Sequence, residues 1–278
     1  MSEIKIVKQS GEKEVFDPGK LRSSLSRAHA TKKVADDIVS YIEGEIKDGM
    51  TTDEIYRRAF KRLEDVEKKS AIKYSVRRSI FDLGPSGFPF EKFVAELFEA
   101  KGYKAQTGLT LEGQCVDHEV DVLAYNESDL LLCEVKFHND PNIKTDTKDA
   151  LYIKARFDDL ANTTIPIENK DRKMTKGLLI TNTKFTETAK KYVRCVGTFD
   201  LISWEYPKKG NLYDLIDETG LHPLTCIPQL TKKDKRKLLD KGIVNCSDLK
   251  EHRVAMKEIG IEDDRIKDII KSVDVICG

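Results

Sequence analysis

The sequence lacks any long apolar segment. Its first residues, MSEIKIVKQS, do not contain the apolar region that a signal peptide needs, and no run of about 18 apolar residues could span a bilayer. We therefore expect a soluble protein of the cytoplasm.

The cysteines and the net charge exclude two further classes of protein. The six cysteines include no C-x-x-C pair, and several lie within apolar runs, so we expect reduced, mostly buried thiols and no zinc site. Lys+Arg (48) balances Asp+Glu (48), so a surface that binds nucleic acid would have to be local. The length of 278 residues is enough for about two domains, or three if some are small.

The segment 118–138, HEVDVLAYNESDLLLCEVKFH, is the most informative part of the chain. Residues 118–125 and 130–137 are rich in β-branched and apolar residues, and the polar quartet 126–129 separates them. This pattern is typical of a β-hairpin with a four-residue turn. A simple turn places Tyr125 opposite Leu130.

This register predicts which charged residues face each other. Counting back along both strands sets Asp121 opposite Glu134 and Glu119 opposite Lys136. Because side chains alternate along a strand, Glu134 and Lys136 share a face. Facing carboxylates in an apolar hairpin repel each other and lose solvation, and Mg²⁺ or Mn²⁺ would compensate them with oxygen ligands. An ordinary hairpin with a solvated charged face is the alternative.

A further acid is predicted to reach the hairpin from a helix. The Gly- and Pro-rich stretch 83–89 marks a boundary, and FEKFVAELFEAKG after it predicts an amphipathic helix. At 3.6 residues per turn, Glu91 shares the apolar face of Val94 and Phe98, whereas Glu96 is expected to project toward solvent. Glu91 therefore points at the sheet.

The predicted order of elements in residues 85–206 is αβββαβαβ. With an acid followed by Glu-x-Lys on the next strand, this order resembles the PD-(D/E)xK nucleases, and GLLITNTKFTETA resembles the late strand and helix of Mrr-type restriction endonucleases. The chain departs from the family pattern in having no proline before the first acid, and in two extra groups, His118 and Glu119, whose roles are unassigned. The resemblance implies that Glu91 is the helix acid, Asp121 the metal-bridging acid, Glu134 the second metal ligand and Lys136 the catalytic lysine.

The first module is predicted to be helical with a small β-hairpin. Two short strands flank Gly11, and Asp17 and Pro18 are suited to begin the helix that follows. Further helices are predicted at 33–47, 52–64 and 69–82, the second of them with a cap at Thr51 or Thr52.

The order V-K-x-x-G-x-x-x-x-F-D, a Lys-Leu helix, T-x-x-E-I and Y-x-x-R resembles the ATP-cone, a regulatory module that binds adenine nucleotides. Where the family commonly has Lys-Arg, this chain has Lys8-Gln9, so one cationic phosphate contact is missing. A helical domain with merely solvated charges is the alternative. The resemblance implies a nucleotide site in which Lys8 and Lys20 meet phosphates, Gly11 turns the hairpin beside Gln9, and Glu14, Phe16 and Thr52 line the base or sugar.

Two basic segments are candidates for contact with DNA. LYIKARFDDL interleaves Lys154 and Arg156 with aromatic residues, as in a helix lying along a phosphate backbone, although a solvated amphipathic face fits equally. The tail is predicted to be helical, with turns at Gly242 and Gly260, and resembles helix-hairpin-helix modules; a structural cap or dimer element is its alternative. The tail also carries a basic cluster of Lys232, Lys233, Lys235, Arg236 and Lys237.

Together these patterns predict an α/β multidomain protein: an ATP-cone in residues 1–84, an αβββαβ restriction-endonuclease-like core in 85–210 and a small all-α module in 211–278. The expected function is a DNA endonuclease that uses Mg²⁺ or Mn²⁺, is regulated by ATP or dATP and forms a homodimer. One alternative is a nucleotide-sensing DNA-binding protein with an inactive nuclease-like core. The other is a nuclease acting on RNA or branched DNA.

Overall fold

The structure is a computed structural model that describes residues 4–8 and 11–277. The described chain divides into two compact units. The first comprises the residues up to Arg78 together with Asp274–Ile276, and the second comprises Ser79–Val273 and Cys277. Within these described ranges, no helix has the length and apolar character needed to cross a membrane.

The first unit combines a two-stranded antiparallel sheet with helices, as predicted. Ile6 of the sheet packs into the same apolar core as Leu25, Ile42 and Leu63 of the helices. The elements are β1 (Lys5–Val7), β2 (Lys13–Val15), α1 (Pro18–Arg27), α2 (Lys32–Glu45), α3 (Thr52–Val66) and α4 (Lys68–Phe81).

Side-chain caps fix where these helices begin. Asp17 accepts a hydrogen bond from the N–H of Gly19 at 2.8 Å, and Pro18 occupies the first position of α1. Thr51 and Glu54 form a reciprocal capping box at the start of α3. The two predicted helix starts therefore depend on local chemistry that the sequence displays directly.

The second unit is built around a five-stranded mixed sheet of order β11-β9-β5-β4-β3. Strands β3, β4 and β5 are antiparallel, whereas β5, β9 and β11 run parallel. The elements of its first part are α5 (Phe88–Ala100), β3 (Lys104–Glu112), β4 (Asp117–Tyr125), β5 (Leu130–Lys136), β6 (Lys144–Thr145), α6 (Thr147–Ala161), β7 (Ile165–Ile167), β8 (Lys170–Arg172), β9 (Lys176–Thr181), β10 (Lys184–Phe185), α7 (Glu187–Val196) and β11 (Phe199–Ile202).

Strand β5 is the centre of the sheet and is buried along almost its whole length. Tyr125 pairs with Leu130 across the turn, so the predicted hairpin register is confirmed. Helices α6 and α7 pack on one face through Ile153, Phe157 and Val193, and α5 contacts β3 and β4. Burial on both faces explains why β5 reads as a continuous apolar run interrupted only by its charged end.

The remaining chain contributes α8 (Leu212–Thr219), α9 (Lys232–Asp240), α10 (Arg253–Glu258) and α11 (Asp263–Cys277), of which Asp274–Ile276 are assigned to the first unit. Sulfur atoms of Cys246 and Cys277 form a disulfide, so the prediction that all cysteines are reduced thiols is wrong. The pair comes together through the approach of α11 to the turn after α9, a long-range contact that the spacing of the cysteines does not reveal.

The C-terminal segment also covers one face of α5. Lys92 donates a hydrogen bond to the carbonyl of Gly242, and the Asn245 amide donates to Glu96. The Glu96 side chain is consequently only 18% exposed. The prediction that Glu96 faces solvent is wrong because this face of the helix packs on a segment about 150 residues later in the chain.

Candidate active site

The candidate catalytic residues lie where strands β4 and β5 separate. The backbone ladder between them ends at the pair Val122 and Cys133. Beyond that point, Oδ2 of Asp121 accepts a hydrogen bond from the N–H of Val135 at 2.6 Å. The Asp121 side chain therefore takes the place of the next backbone contact and is brought beside Glu134. Both predicted pairs, Asp121 with Glu134 and Glu119 with Lys136, lie past the end of the ladder, so neither is formed as a backbone pair.

Glu134 is the most buried acid of this group, with only 4% of its surface exposed. One of its carboxylate oxygens binds Nζ of Lys136 at 2.8 Å, because the two residues share a face of β5. The other oxygen binds Nη1 of Arg156 on α6. Glu134 is thus paired with two cations, as a buried carboxylate requires.

Glu91 and Asp121 are less well compensated. Burial, reinforced by Asp121, Glu119 and Glu134, raises the pKa of Glu91 to about 7. Burial and the charge of Glu134 raise the pKa of Asp121 to about 6, against the opposing effects of Val135 N–H, Lys136 and Arg156. Burial alone would lower the pKa of Lys136, but its ion pair with Glu134 outweighs burial and the pKa is raised. The site therefore combines a fixed ammonium with an excess of negative charge.

Close backbone approach holds Glu91 against this end of the sheet. A Cβ atom at Gly84 would clash with Oδ1 of Asn139 and lie 2.7 Å from the ring of Phe137; both residues follow β5. The Asn139 amide donates to the carbonyl of Pro85 at 3.0 Å. The segment before α5 is thus fastened to the end of β5, and this places the first turn of α5 beside the acids.

Arg156 occupies the centre of the site and does not lie on an outer face. Its Nη1 also donates to the carbonyl of Glu119 at 3.0 Å, and its Nη2 donates to the hydroxyl of Tyr152 at 3.0 Å. Lys154, the other cation that we predicted to contact DNA from this helix, pairs with Asp158. Arg156 was predicted to contact DNA from its sequence position, and its observed partners are Glu134, the Glu119 carbonyl and the Tyr152 hydroxyl.

His118 has a structural partner in Asp159. Asp159 accepts from Nε2 of His118 at 2.8 Å, from the N–H of Cys115 at 2.9 Å and from the N–H of Val116 at 3.3 Å. A Cβ atom at Gly113 would clash with Oδ2 of Asp159. This aspartate therefore clamps the connection between β3 and β4 onto α6.

His138 is also held by protein groups. Its Nε2 lies 3.0 Å from the hydroxyl of Thr145, and the Asn182 side chain bonds both its N–H and its carbonyl. Burial lowers its pKa, so the ring is neutral near pH 7. The structure gives neither histidine a place among the acids.

The described residues contain no preformed cluster of three or more His, Cys, Asp or Glu side chains arranged to hold a metal ion. The donor chemistry nevertheless fits a divalent cation. Glu91 and Asp121 are carboxylates whose pKa values are raised by burial and by neighbouring acids, and Glu134 is a third hard oxygen donor beside them. Glu134 differs from the prediction in being occupied by Lys136 and Arg156.

The predicted nucleotide-binding residues of the first unit are partly brought together. Nζ of Lys8 lies 3.1 Å from a carboxylate oxygen of Glu14, and Nζ of Lys20 lies 3.2 Å from the same oxygen. A β-bridge between Val7 and Thr51 places the start of α3 beside β1. Of the other predicted residues, Thr52 begins α3, Gly11 has φ +82°, Phe16 packs against the core, and Gln9 lies outside the described residues.

The basic cluster of the tail is largely engaged by backbone carbonyls. Lys235 donates to Thr225 O at 2.6 Å, Arg236 to Gly84 O at 3.2 Å and Lys237 to Ile259 O at 2.9 Å. Lys232 and Lys233 are exposed. At the predicted hairpin, the N–H groups of Lys241 and Gly242 donate to carbonyls of the preceding helix at 3.1 and 2.8 Å. The cations that remain exposed are therefore fewer than the sequence suggests.

Comparison with known families bears on each part of the chain. Residues 4–82 match the ATP cone domain, residues 85–205 match the restriction endonuclease domain of the Mrr catalytic type, and residues 222–277 match the AF1548-like C-terminal domain. The predicted combination of ATP-cone, restriction-endonuclease-like core and all-α C-terminal module is confirmed.

An uncharacterized protein of Archaeoglobus fulgidus is 33% identical over 186 residues, which are 66% of this chain and all of that protein. The chain belongs to the AF1548-like family. The crystal structure of the protein of unknown function AF1548 is 32% identical, with a TM-score of 0.56, covering 69% of this chain and 99% of that one. The MspJI restriction endonuclease bound to a 27-mer oligonucleotide gives a TM-score of 0.33 at 15% identity, covering 54% of this chain and 35% of that one.

In this AF1548-like chain, sequence reasoning missed the roles of Arg156 and Asp159. Both lie on α6, in the stretch ARFDDL, and both bind groups on β4, β5 or the connection that precedes them. A helical projection of α6 places Arg156 one turn after Tyr152, which was the available signal for their contact. No local pattern indicates that Arg156 reaches Glu134.

Proposed function

We propose that this protein is a metal-dependent DNA endonuclease that hydrolyses phosphodiester bonds and is regulated by an adenine nucleotide. One observation carries the proposal. Glu91, Asp121, Glu134 and Lys136 converge from α5, β4 and β5 at the point where the two strands separate, within a restriction-endonuclease-like domain.

The acids and the lysine would divide the chemistry between them. Asp121 and Glu134, with Glu91 behind them, would hold Mg²⁺ or Mn²⁺, which would activate a water molecule and offset charge on the phosphate. Lys136 remains protonated at neutral pH because its pKa is raised, so it can orient a water molecule and donate to a phosphate oxygen. Glu91, with a pKa of about 7, can accept or return a proton near neutral pH.

The first unit supports the regulatory part of the proposal. Lys8 and Lys20 share Glu14 as a partner, so phosphate groups of ATP or dATP would compete with that carboxylate for the two lysines. A nucleotide pocket has no part in metal-assisted hydrolysis, and control of assembly or access is therefore its expected role. A homodimer would supply a catalytic centre for each strand of a duplex, and sedimentation velocity with and without ATP tests the assembly.

Plasmid cleavage tests the proposed activity. Supercoiled plasmid incubated with the protein and Mg²⁺ should be nicked or linearised, and chelation should stop the reaction. Lys136→Ala should lose turnover while retaining DNA affinity, because one lysine adds little to the summed phosphate attraction. Lys176→Gln is the matched control, since Lys176 pairs with Asp200 at the other end of the sheet. Normal cleavage by Lys136→Ala would contradict the assignment.

The pairing of Glu134 with two cations favours one alternative, a nucleotide-sensing DNA-binding protein whose nuclease-like core is inactive. Binding of a duplex without cleavage in Mg²⁺ or Mn²⁺ would support that function. Branched DNA and RNA tested beside the linear duplex distinguish the remaining substrates.

A further inference from the structure

The position of Arg156 at the nuclease centre has a consequence for metal binding. Its side chain is 15% exposed and binds a carboxylate that is 5% exposed. Lys136 takes the other oxygen of Glu134 at 2.8 Å. Each carboxylate oxygen keeps a second lone pair, but a metal ion at either oxygen of Glu134 would lie beside Lys136 or Arg156 and be repelled by it.

We propose that Arg156 occupies the cation position at Glu134 in the DNA-free protein, and that it must release Glu134 before a metal ion binds there. Contact with DNA phosphate supplies the alternative partner for its guanidinium. Arg156 is thus a positioning residue that couples metal binding to DNA binding, an inference that rests on the proposed function of the centre.

The hydrogen bonds of Arg156 favour such an exchange. Its Nη1 is divided between Glu134 and the Glu119 carbonyl, and its buried Nε has no hydrogen-bond partner among the described residues. A buried donor without a partner destabilises the closed arrangement. A phosphate accepts two parallel bonds from the guanidinium fork, so it can satisfy donors that the resting site leaves unused.

The surroundings of Arg156 provide a place for DNA to meet it. Nη2 donates to the hydroxyl of Tyr152, and the guanidinium lies 5.0 Å from the centre of the Tyr152 ring. Tyr152 is 59% exposed and its neighbour Leu151 is 50% exposed. Arg156 therefore lies one helical turn after an exposed part of α6, where DNA could approach it. Lys136 differs because it shares a strand face with Glu134 and can stay in contact when the arginine leaves.

Release of Arg156 also changes the charge at the centre. One positive charge would leave the neighbourhood of Glu91, Asp121 and Glu134, and Oε2 of Glu134 would lose its cationic partner. Both changes favour a divalent cation, because attraction between charges in a partly buried site is stronger than in water. Bound DNA should then raise the affinity for the metal ion, and the bound metal ion should raise the affinity for DNA by the same factor.

Calorimetric titration of Ca²⁺ into the full chain without DNA tests the inference. Arg156→Gln should bind Ca²⁺ about tenfold more tightly than the wild type, since the competing cation is gone. Tyr152→Phe, an exposed change that keeps the fold, should give a gain of about two- to threefold by loosening the arginine. Lys176→Gln removes the same charge far from the centre and should leave Ca²⁺ affinity unchanged.

Addition of a short DNA duplex in Ca²⁺ gives the second readout. The duplex should raise the Ca²⁺ affinity of the wild type, and the gain should be much smaller in Arg156→Gln. Unchanged or weaker Ca²⁺ binding by the two folded variants without DNA would overturn the inference while leaving the metal site in place. Failure of every variant to bind Ca²⁺, or binding that Asp121→Asn does not alter, would instead refute the proposed metal-dependent function and the inference with it.

Discussion

Replacing Asp121 by Asn should stabilise the metal-free protein at neutral pH and remove its response to metal. The Asn carbonyl can still accept the hydrogen bond from Val135 N–H, so the separation of β4 and β5 is preserved. What disappears is a buried negative charge beside Glu134. The variant therefore isolates the electrostatic role of the acid from its structural role.

The pKa of Asp121 sets the expected size and pH dependence of the stabilisation by Asp121→Asn. Burial raises it from 3.8 to about 6, so the ionised form is disfavoured in the folded protein. The contribution of Asp121 to the free energy of unfolding is greatest below about pH 4 and is lost as the pH rises through about 6. The full difference corresponds to about 3 kcal/mol, and partial exposure and coupling to Glu134 reduce the expected gain to about 1–3 kcal/mol at pH 7.5. For a unit of this size, each kcal/mol raises Tm by about 2–4 °C.

Thermal unfolding at pH 7.5 and pH 4.5, with and without Ca²⁺, measures both effects. Asp121→Asn should unfold at a higher temperature than the wild type at pH 7.5, and the difference should shrink toward pH 4. Ca²⁺ at about 100 times its dissociation constant should stabilise only the wild type, by about 2.7 kcal/mol. Asp200→Asn, an exposed acid at the far end of the sheet, is the matched control. Equal stabilisation of Asp121→Asn and wild type by Ca²⁺ would refute the assignment of Asp121 as a metal ligand.

Three further predictions concern the remainder of the chain. Burial, with Asp248 nearby, raises the pKa of Glu96 to about 7, so the free energy of unfolding should fall as the pH rises from about 4.5 to 7. Glu96→Gln should flatten this pH dependence in thermal melts, and an unchanged profile would contradict the prediction. In calorimetric titrations, Lys8→Ala should abolish the heat of ATP binding, whereas Lys13→Ala on β2 should retain it; equal heats would remove Lys8 from the site. Exchanging both exposed lysines, Lys232 and Lys233, for Gln should lower the slope of log affinity for DNA against log salt by about two, and a constant slope would exclude them from phosphate contact.

The hairpin and its acids could be predicted because the information is local. The turn chemistry of 126–129 fixed the pairing of Tyr125 with Leu130, and alternation along one strand then put Glu134 and Lys136 on one face. The caps at Asp17 and Thr51 were readable for the same reason. In each case the contacting groups are within a few residues or across one tight turn.

The elements and contacts that were missed depend on distant partners or on weak patterns. The hairpin β7–β8 contains Pro166 and is short and highly charged, so it carries no clear alternation. Helix α8 has only eight residues and ends at Gly220, and only the domain boundary after residue 210 was predicted in this stretch. Glu96 and Arg156 are each positioned by residues from separate elements, and helical periodicity gives the direction of a side chain without identifying what covers it.

Two parts of α5 contact different regions of the protein. Glu91 at its beginning lies near Asp121 and Glu134 in the proposed active site, while Lys92 and Glu96 bind Gly242 and Asn245 of the C-terminal segment. Removing residues 222–277 would expose the Glu96 carboxylate, whose pKa is raised, on the same helix that carries Glu91. A shortened protein that fails to cut DNA would therefore report a disturbed support for Glu91 as readily as a lost DNA contact, and point changes at Lys232 and Lys233 are the cleaner way to separate the two.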